Sequence, residues 1–267
     1  MPVMAGFSVL RAVERGYRAA WAERNLVARL AAPAFAVTLA CTALSAWLGV
    51  LDKPAGDALV SLPARAAQGW AASTLARLAV LGPREALART PTALRARLAG
   101  SVTYVLLSIL GVFVLEALMT ALPPPAPGEA PALPADLTDP DTPMALQFAW
   151  AVGSILLLVG ALWTLRLGWL FVPAALGRPL RSYMRALAGG HSSLCLLAVW
   201  IAGTVPPFLF ALILADIARL LALPGLVALA YILFVVRGVA GLVLTTMAAA
   251  VGIGAAMHKE DERWKFM

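Results

Sequence analysis

From Leu98 to Leu165 the chain carries no lysine or arginine, and its only charges there are acidic. Arg166, Arg178, Arg181 and Arg185 then follow with no acid among them. Both regions contain long apolar runs, so the asymmetry reads as sidedness in a membrane. Loops kept in the cytoplasm collect Lys and Arg, because carrying those charges across is disfavoured. The apolar runs supply the passes and the uneven charges orient them.

Composition supports this reading. Of the 267 residues, 61% are hydrophobic and 13% charged, against about 25% charged in a typical soluble domain. Mean hydropathy is +0.85. The formal charge of +7 and the pI near 10.1 come from basic residues set between apolar runs. That placement suits anionic headgroups better than nucleic acid, so no nucleic-acid partner is expected. Cys41 and Cys195 both lie in apolar runs and read as buried thiols, not as a disulfide framework.

The N-terminus lacks the short apolar core of a cleavable signal; Arg11, Arg15, Arg18, Arg24 and Arg29 precede the first apolar run. Within residues 1–32, residues 6–30 read as an amphipathic helix. Leu10, Val13, Tyr17 and Trp21 recur at helical spacing, with Arg11, Arg15 and Arg18 on a neighbouring face. Two placements stand open: along the cytoplasmic interface, or packed on other helices of the chain.

The first membrane segment, 33–122, is expected to hold spans at 33–51, opened by Pro33, and 101–122, with a weak one at 57–82. Arg65 and Arg77 interrupt that weak segment, and central arginine costs about 2.5–3.5 kcal/mol on insertion scales. It is either a protein-shielded crossing or half of a hairpin that does not fully cross. Residues 123–143 form a linker with eight prolines and four acids among 21 residues, an extended loop read as periplasmic. The second membrane segment, 144–257, carries spans at 144–166, 193–222 and 225–257. Ser192 or Ser193 is expected to cap the middle one, and Pro206-Pro207 to kink it. The last run exceeds one untilted crossing, so it tilts and projects, or breaks near Gly238 and Gly241. Gly160, Thr164 and Gly168, like Ala248, Gly252 and Ala256, place small residues on one helix face, where close packing drives association in lipid. Residues 258–267 form a cytoplasmic tail.

The expected fold is therefore an all-α polytopic bundle of about six transmembrane helices, five clear and one weak. It sits in a bacterial inner membrane with both termini inside. The Arg-over-Lys and Ala bias suggests a GC-rich source.

No phosphate-binding glycine loop, Cys-x-x-Cys pair or His-Glu-x-x-His motif is present. Gly252-Ile253-Gly254 lacks the third glycine and preceding strand of a dinucleotide site. His191 and His258 have no ligand partners at metal spacing. No enzyme activity, cofactor or metal is expected. Four charges inside apolar runs remain: Glu116, Asp216, Arg219 and Arg237. Intramembrane charges are functional candidates, since their cost must be offset. Helix arithmetic allows a Glu116–Arg237 or Asp216–Arg237 pair, and the alternatives are structural pairing or anchoring at the outer headgroups.

Residues 163–200, WTLRLGWLFVPAALGRPLRSYMRALAGGHSSLCLLAVW, resemble poorly characterised bacterial membrane proteins. Among these is the membrane domain appended to some glycerophosphodiester phosphodiesterases. Arg166, Pro173, Gly177, Arg185 and Gly190 carry the match. The resemblance implies a helical membrane fold and, without the catalytic domain, no hydrolase activity. The functional expectation is an accessory, assembly or scaffold component. Its partners would be the lipid bilayer and a membrane protein or a second copy. The alternative is a small permease or channel using Glu116, Asp216 and Arg237.

Overall fold

A computed structural model describes residues 8–51, 53–121, 166–188, 190–220 and 226–265. The described residues form helices and turns with no strand among them. The elements are α1 (Val9–Ala22), α2 (Arg24–Trp47), α3 (Pro54–Val60), α4 (Leu62–Leu81), α5 (Pro83–Ala86) and α6 (Pro91–Ala121). After these come α7 (Phe171–Leu176), α8 (Leu180–Ala186), α9 (Gly190–Leu220) and α10 (Leu226–Lys265). Four stretches are long and apolar enough to cross a membrane: Arg24–Trp47, Pro91–Phe113, His191–Ala218 and Ala228–Lys259. The expected linker 123–143 and nearly all of the expected span 144–166 lie outside the described residues.

Several boundaries differ from the sequence expectation. The N-terminal helix ends at Ala22, and Glu23 turns the chain with φ −103° and ψ 28°. Residues 24–32 therefore belong to α2, and Pro33 sits inside that helix instead of opening it. Its missing N–H leaves the Arg29 carbonyl without its i+4 donor. The expected span 101–122 starts earlier, at Pro91. The helix expected from Ser192 or Ser193 begins at Gly190, and Ser193 Oγ accepts instead from Arg166 Nε at 2.6 Å. α10 runs unbroken through Gly238 and Gly241 and on into the tail. At about 1.5 Å per residue it is longer than a bilayer core is thick.

The ambiguous segment 57–82 is the centre of the packing. It divides at Ser61 into α3 and α4, and every residue from Ala71 to Leu78 is buried. α4 runs antiparallel to α6. Arg65 Nη1 donates to the Ser108 carbonyl at 3.3 Å, and a Cβ on Gly69 would lie 2.9 Å from the Ser101 carbonyl oxygen. On its other sides α4 meets α2, where Gln68 Nε2 donates to Thr38 Oγ1 at 3.0 Å, and α10, where Val80 lies against Gly254. The arginines that make this segment a poor span alone find acceptors elsewhere, although Arg77 Nε stays buried without one. Arg77, 4% exposed, donates to the carbonyls of Ala175 at 3.0 Å and Glu85 at 3.2 Å. Arg97 donates to the Ala88 carbonyl at 2.6 Å and lies 5.4 Å above the Trp70 ring.

α1 packs on α10 and α9. A Cβ on Gly16 would fall 2.5 Å from Ala248 Cα, so the absent side chain lets the two backbones meet. Tyr17 Oη donates to the Ala202 carbonyl of α9 at 2.5 Å, and burial raises its phenol pKa. Ala248, Gly252 and Ala256 are all buried, and this face of α10 receives α1 and the core around Val172, Leu196 and Met257.

The Arg-rich stretch after Arg166 folds into two short helices. Gly177, at φ 68° and ψ 25°, closes α7 in the left-handed conformation that favours glycine. α8 buries Tyr183 and exposes Arg181 and Arg185. Tyr183 donates its hydroxyl proton to the Arg166 carbonyl. Burial raises this phenol's pKa, and the Arg166 cation beside it partly opposes the rise. The Arg166 side chain also donates to the Ala188 carbonyl at 3.2 Å.

Candidate functional site

α6 packs on α4 and α7, while α9 packs on α10. The gap between α6 and the α9–α10 pair is a cavity of about 820 Å³. Three helix faces line it at helical periodicity. α6 contributes Tyr104, Leu107, Leu110 and Gly111, and α9 contributes Trp200, Thr204 and Phe208. α10 contributes Arg237 and Gly238, then Gly241, Leu242, Thr245 and Thr246. The approach to α7, residues 167–169 with Phe171, forms the floor.

The spacing of α9 from α10 follows from one glycine. A Cβ on Gly203 would lie 2.4 Å from Thr245 Cγ2 and 2.7 Å from the Thr245 nitrogen, so the helices cross in backbone contact there. Thr245 turns its hydroxyl to the Gly241 carbonyl at 2.6 Å. Further along, Gly238 has no atom within 4 Å of an added Cβ, which leaves room beside Arg237. The floor is aromatic. Tyr104 meets Phe171 edge-on at 5.4 Å and 86°, and Trp169 lies 5.9 Å from Phe171.

Arg237 is the one charged side chain among the lining residues. It is half-buried. Its guanidinium lies 5.1 Å from the Phe208 ring centroid and 4.8 Å from that of Phe234. A cation held over two ring faces gains electrostatic attraction from both quadrupoles, more so away from water. The rings lower the cost of the charge without neutralising it. Among the described residues, no carboxylate lies within ion-pair distance of Arg237. No protein-family model, curated protein or solved structure matches this chain.

The sequence candidates distribute unevenly around this cavity. Arg237 lines it, as does Gly168. Asp216 is exposed on α9 and is not among the lining residues. Glu116 lies on α6 and Arg219 on α9, but their side chains fall outside the described residues, as do Gly160 and Thr164. Opposite charge in the sequence does not point to the aromatic partners of Arg237. Phe234 stands at i−3 from Arg237, on the same helix face, and that spacing was a readable signal. His191 is exposed, whereas Ser193 is buried and accepts from Arg166.

Proposed function

We propose that this chain is a multi-pass bacterial inner-membrane protein that acts without catalysis, as an accessory, assembly or scaffold component. One observation carries the proposal: buried arginines stiffen the interior while apolar side chains cover the outer helix faces. Arg77, Arg97 and Arg166 each donate to a backbone carbonyl or hydroxyl of a neighbouring element, while Arg77 Nε and Arg97 Nε stay buried without a partner. Leu106, Leu110 and Phe113 on α6, with Leu209, Phe210 and Ile213 on α9, face outward. Such a frame offers lipid and partner helices a fixed apolar surface, on which packing drives association. The resemblance of residues 163–200 to an appended membrane domain implies a helical membrane fold without hydrolase activity.

In this reading the chain crosses six times. α4 is a crossing shielded by α2, α6 and α10, and the span 144–166 supplies the sixth. The termini lie in the cytoplasm and 123–143 in the periplasm, from the lysine and arginine distribution. α1, with Trp21 and its arginines exposed, lies at the cytoplasmic surface while resting on α10.

The Arg237 cavity favours a second reading, a small permease or channel. Purification in mild detergent followed by mass determination separates the two. Stoichiometric copurification with another membrane protein supports the accessory role. A lone monomer or homo-oligomer that passes solute in liposomes supports the permease.

A further inference from the structure

We infer that the cavity between α6 and the α9–α10 pair binds a single-chain amphiphile with an acidic headgroup, held at Arg237. This rests on the reading that the chain is embedded in a membrane.

The argument starts from charge. Arg237 is the one charged residue of α10 between Leu226 and Met257, and it faces the cavity instead of a described carboxylate. Its planar fork presents donors suited to a carboxylate or phosphate, and Phe208 and Phe234 hold it from two sides. Arg237 is the one charge among the described lining residues, and an anion complements it.

The remainder of the lining selects the body of the ligand. From Arg237 to Thr246 the cavity follows α10 for nine residues, about 14 Å of helix. Along that length it presents Leu107, Leu242, Trp169 and Phe171. Thr245 has committed its hydroxyl to its own helix; the Thr246 hydroxyl, buried without a partner, adds one polar point to a mostly apolar wall. A long apolar chain trailing from an anion matches both ends. The volume of about 820 Å³ lies within the range of roughly 300–1,000 Å³ usual for ligand sites. Leu110, Trp200 and Phe208 line the cavity and are also exposed, so it opens sideways between α6 and α9. The ligand would enter from the bilayer.

The test uses the full chain in nanodiscs of zwitterionic phosphatidylcholine, with radiolabelled dodecanoate as probe. The expected result is saturable binding at one site per chain, above that of empty discs. Methyl dodecanoate, which keeps the chain and loses the charge, should bind about tenfold more weakly or less, as should acetate, which keeps only the charge. Arg237→Gln should lose binding by a similar factor, while Arg237→Lys retains most of it. Gly238→Leu fills the cavity from a position with no atom within 4 Å of its Cβ. It should therefore fold and yet fail to bind.

Equal binding by Arg237→Gln, by Gly238→Leu or by the methyl ester overturns the proposal. So does protein that inserts into the discs and binds no probe. Displacement of the probe by phosphatidylglycerol at equal mole fraction would assign the site to a two-chain bilayer lipid, and also overturns it. Failure to insert at all, read by extraction from membranes with alkaline carbonate, overturns the membrane reading itself.

Discussion

Gly203 of α9 and Thr245 of α10 meet in backbone contact. A Cβ on the glycine would stand 2.7 Å from the threonine nitrogen. This contact sets the crossing from which the two helices form one wall of the Arg237 cavity. Overpacking a fixed core typically costs about 1–3 kcal/mol, and here the obstacle is backbone. Gly203→Val should destabilise the protein by at least that much, seen as a lower melting temperature in detergent. An unchanged melting temperature would show that the helices do not cross there.

Arg77 should behave as a structural clamp. It is buried and bonds to the carbonyls of Ala175 and Glu85, tying α4 to α7 and to α5. Arg77→Leu removes both bonds and leaves the Ala175 carbonyl without this donor. Hydrogen bonds from charged donors are worth about 1.5–3 kcal/mol each, so a loss of about 3 kcal/mol is expected in denaturant titration. Arg77→Lys should recover only part of it, because an ammonium cannot reproduce the planar fork.

Tyr183 makes the fold sensitive to alkali. Its folded pKa lies above the ordinary tyrosine value of about 10, so the native state keeps a proton that the unfolded chain gives up. The associated stability is complete below about pH 10 and is lost as pH rises from there toward the folded value. Melting temperature measured across this window should fall more steeply in wild type than in Tyr183→Phe. The variant should start lower, having lost its bond to the Arg166 carbonyl. Parallel curves would contradict the assignment.

The docking of α1 depends on Gly16. Gly16→Leu drives a side chain into the Ala248 backbone and should lift α1 from α10. Limited trypsin digestion reads this directly, because Arg11, Arg15 and Arg18 become better substrates when the helix is released. Equal cleavage rates would mean that α1 does not rest on Ala248.

Much of the helical layout was legible because uncharged apolar runs leave the backbone few ways to satisfy its polar groups in lipid. The four apolar spans among the described residues follow from that alone. α4 was not legible. Hydropathy counts Arg65 and Arg77 as costs, while the groups that satisfy them, the Ser108 and Ala175 carbonyls, lie 43 and 98 residues away. Proline misled in the same way, since Pro33 looks like a helix start and sits inside one. For the candidate site, the sequence singled out Arg237, while the two phenylalanine rings beside it were not read from charge pairing.

The central claim is that α4 crosses the membrane as the shielded core of a multi-pass bundle, and its two flanks decide it. Lys53 precedes α3 and Arg89 precedes α6, and both are exposed. Single cysteines at these positions, Lys53→Cys and Arg89→Cys, are placed in a chain with Cys41 and Cys195 replaced by serine. They are then treated with a membrane-impermeant maleimide in spheroplasts. The account predicts labelling of Lys53→Cys in intact spheroplasts and of Arg89→Cys only after lysis. Labelling of both from the same side would contradict it.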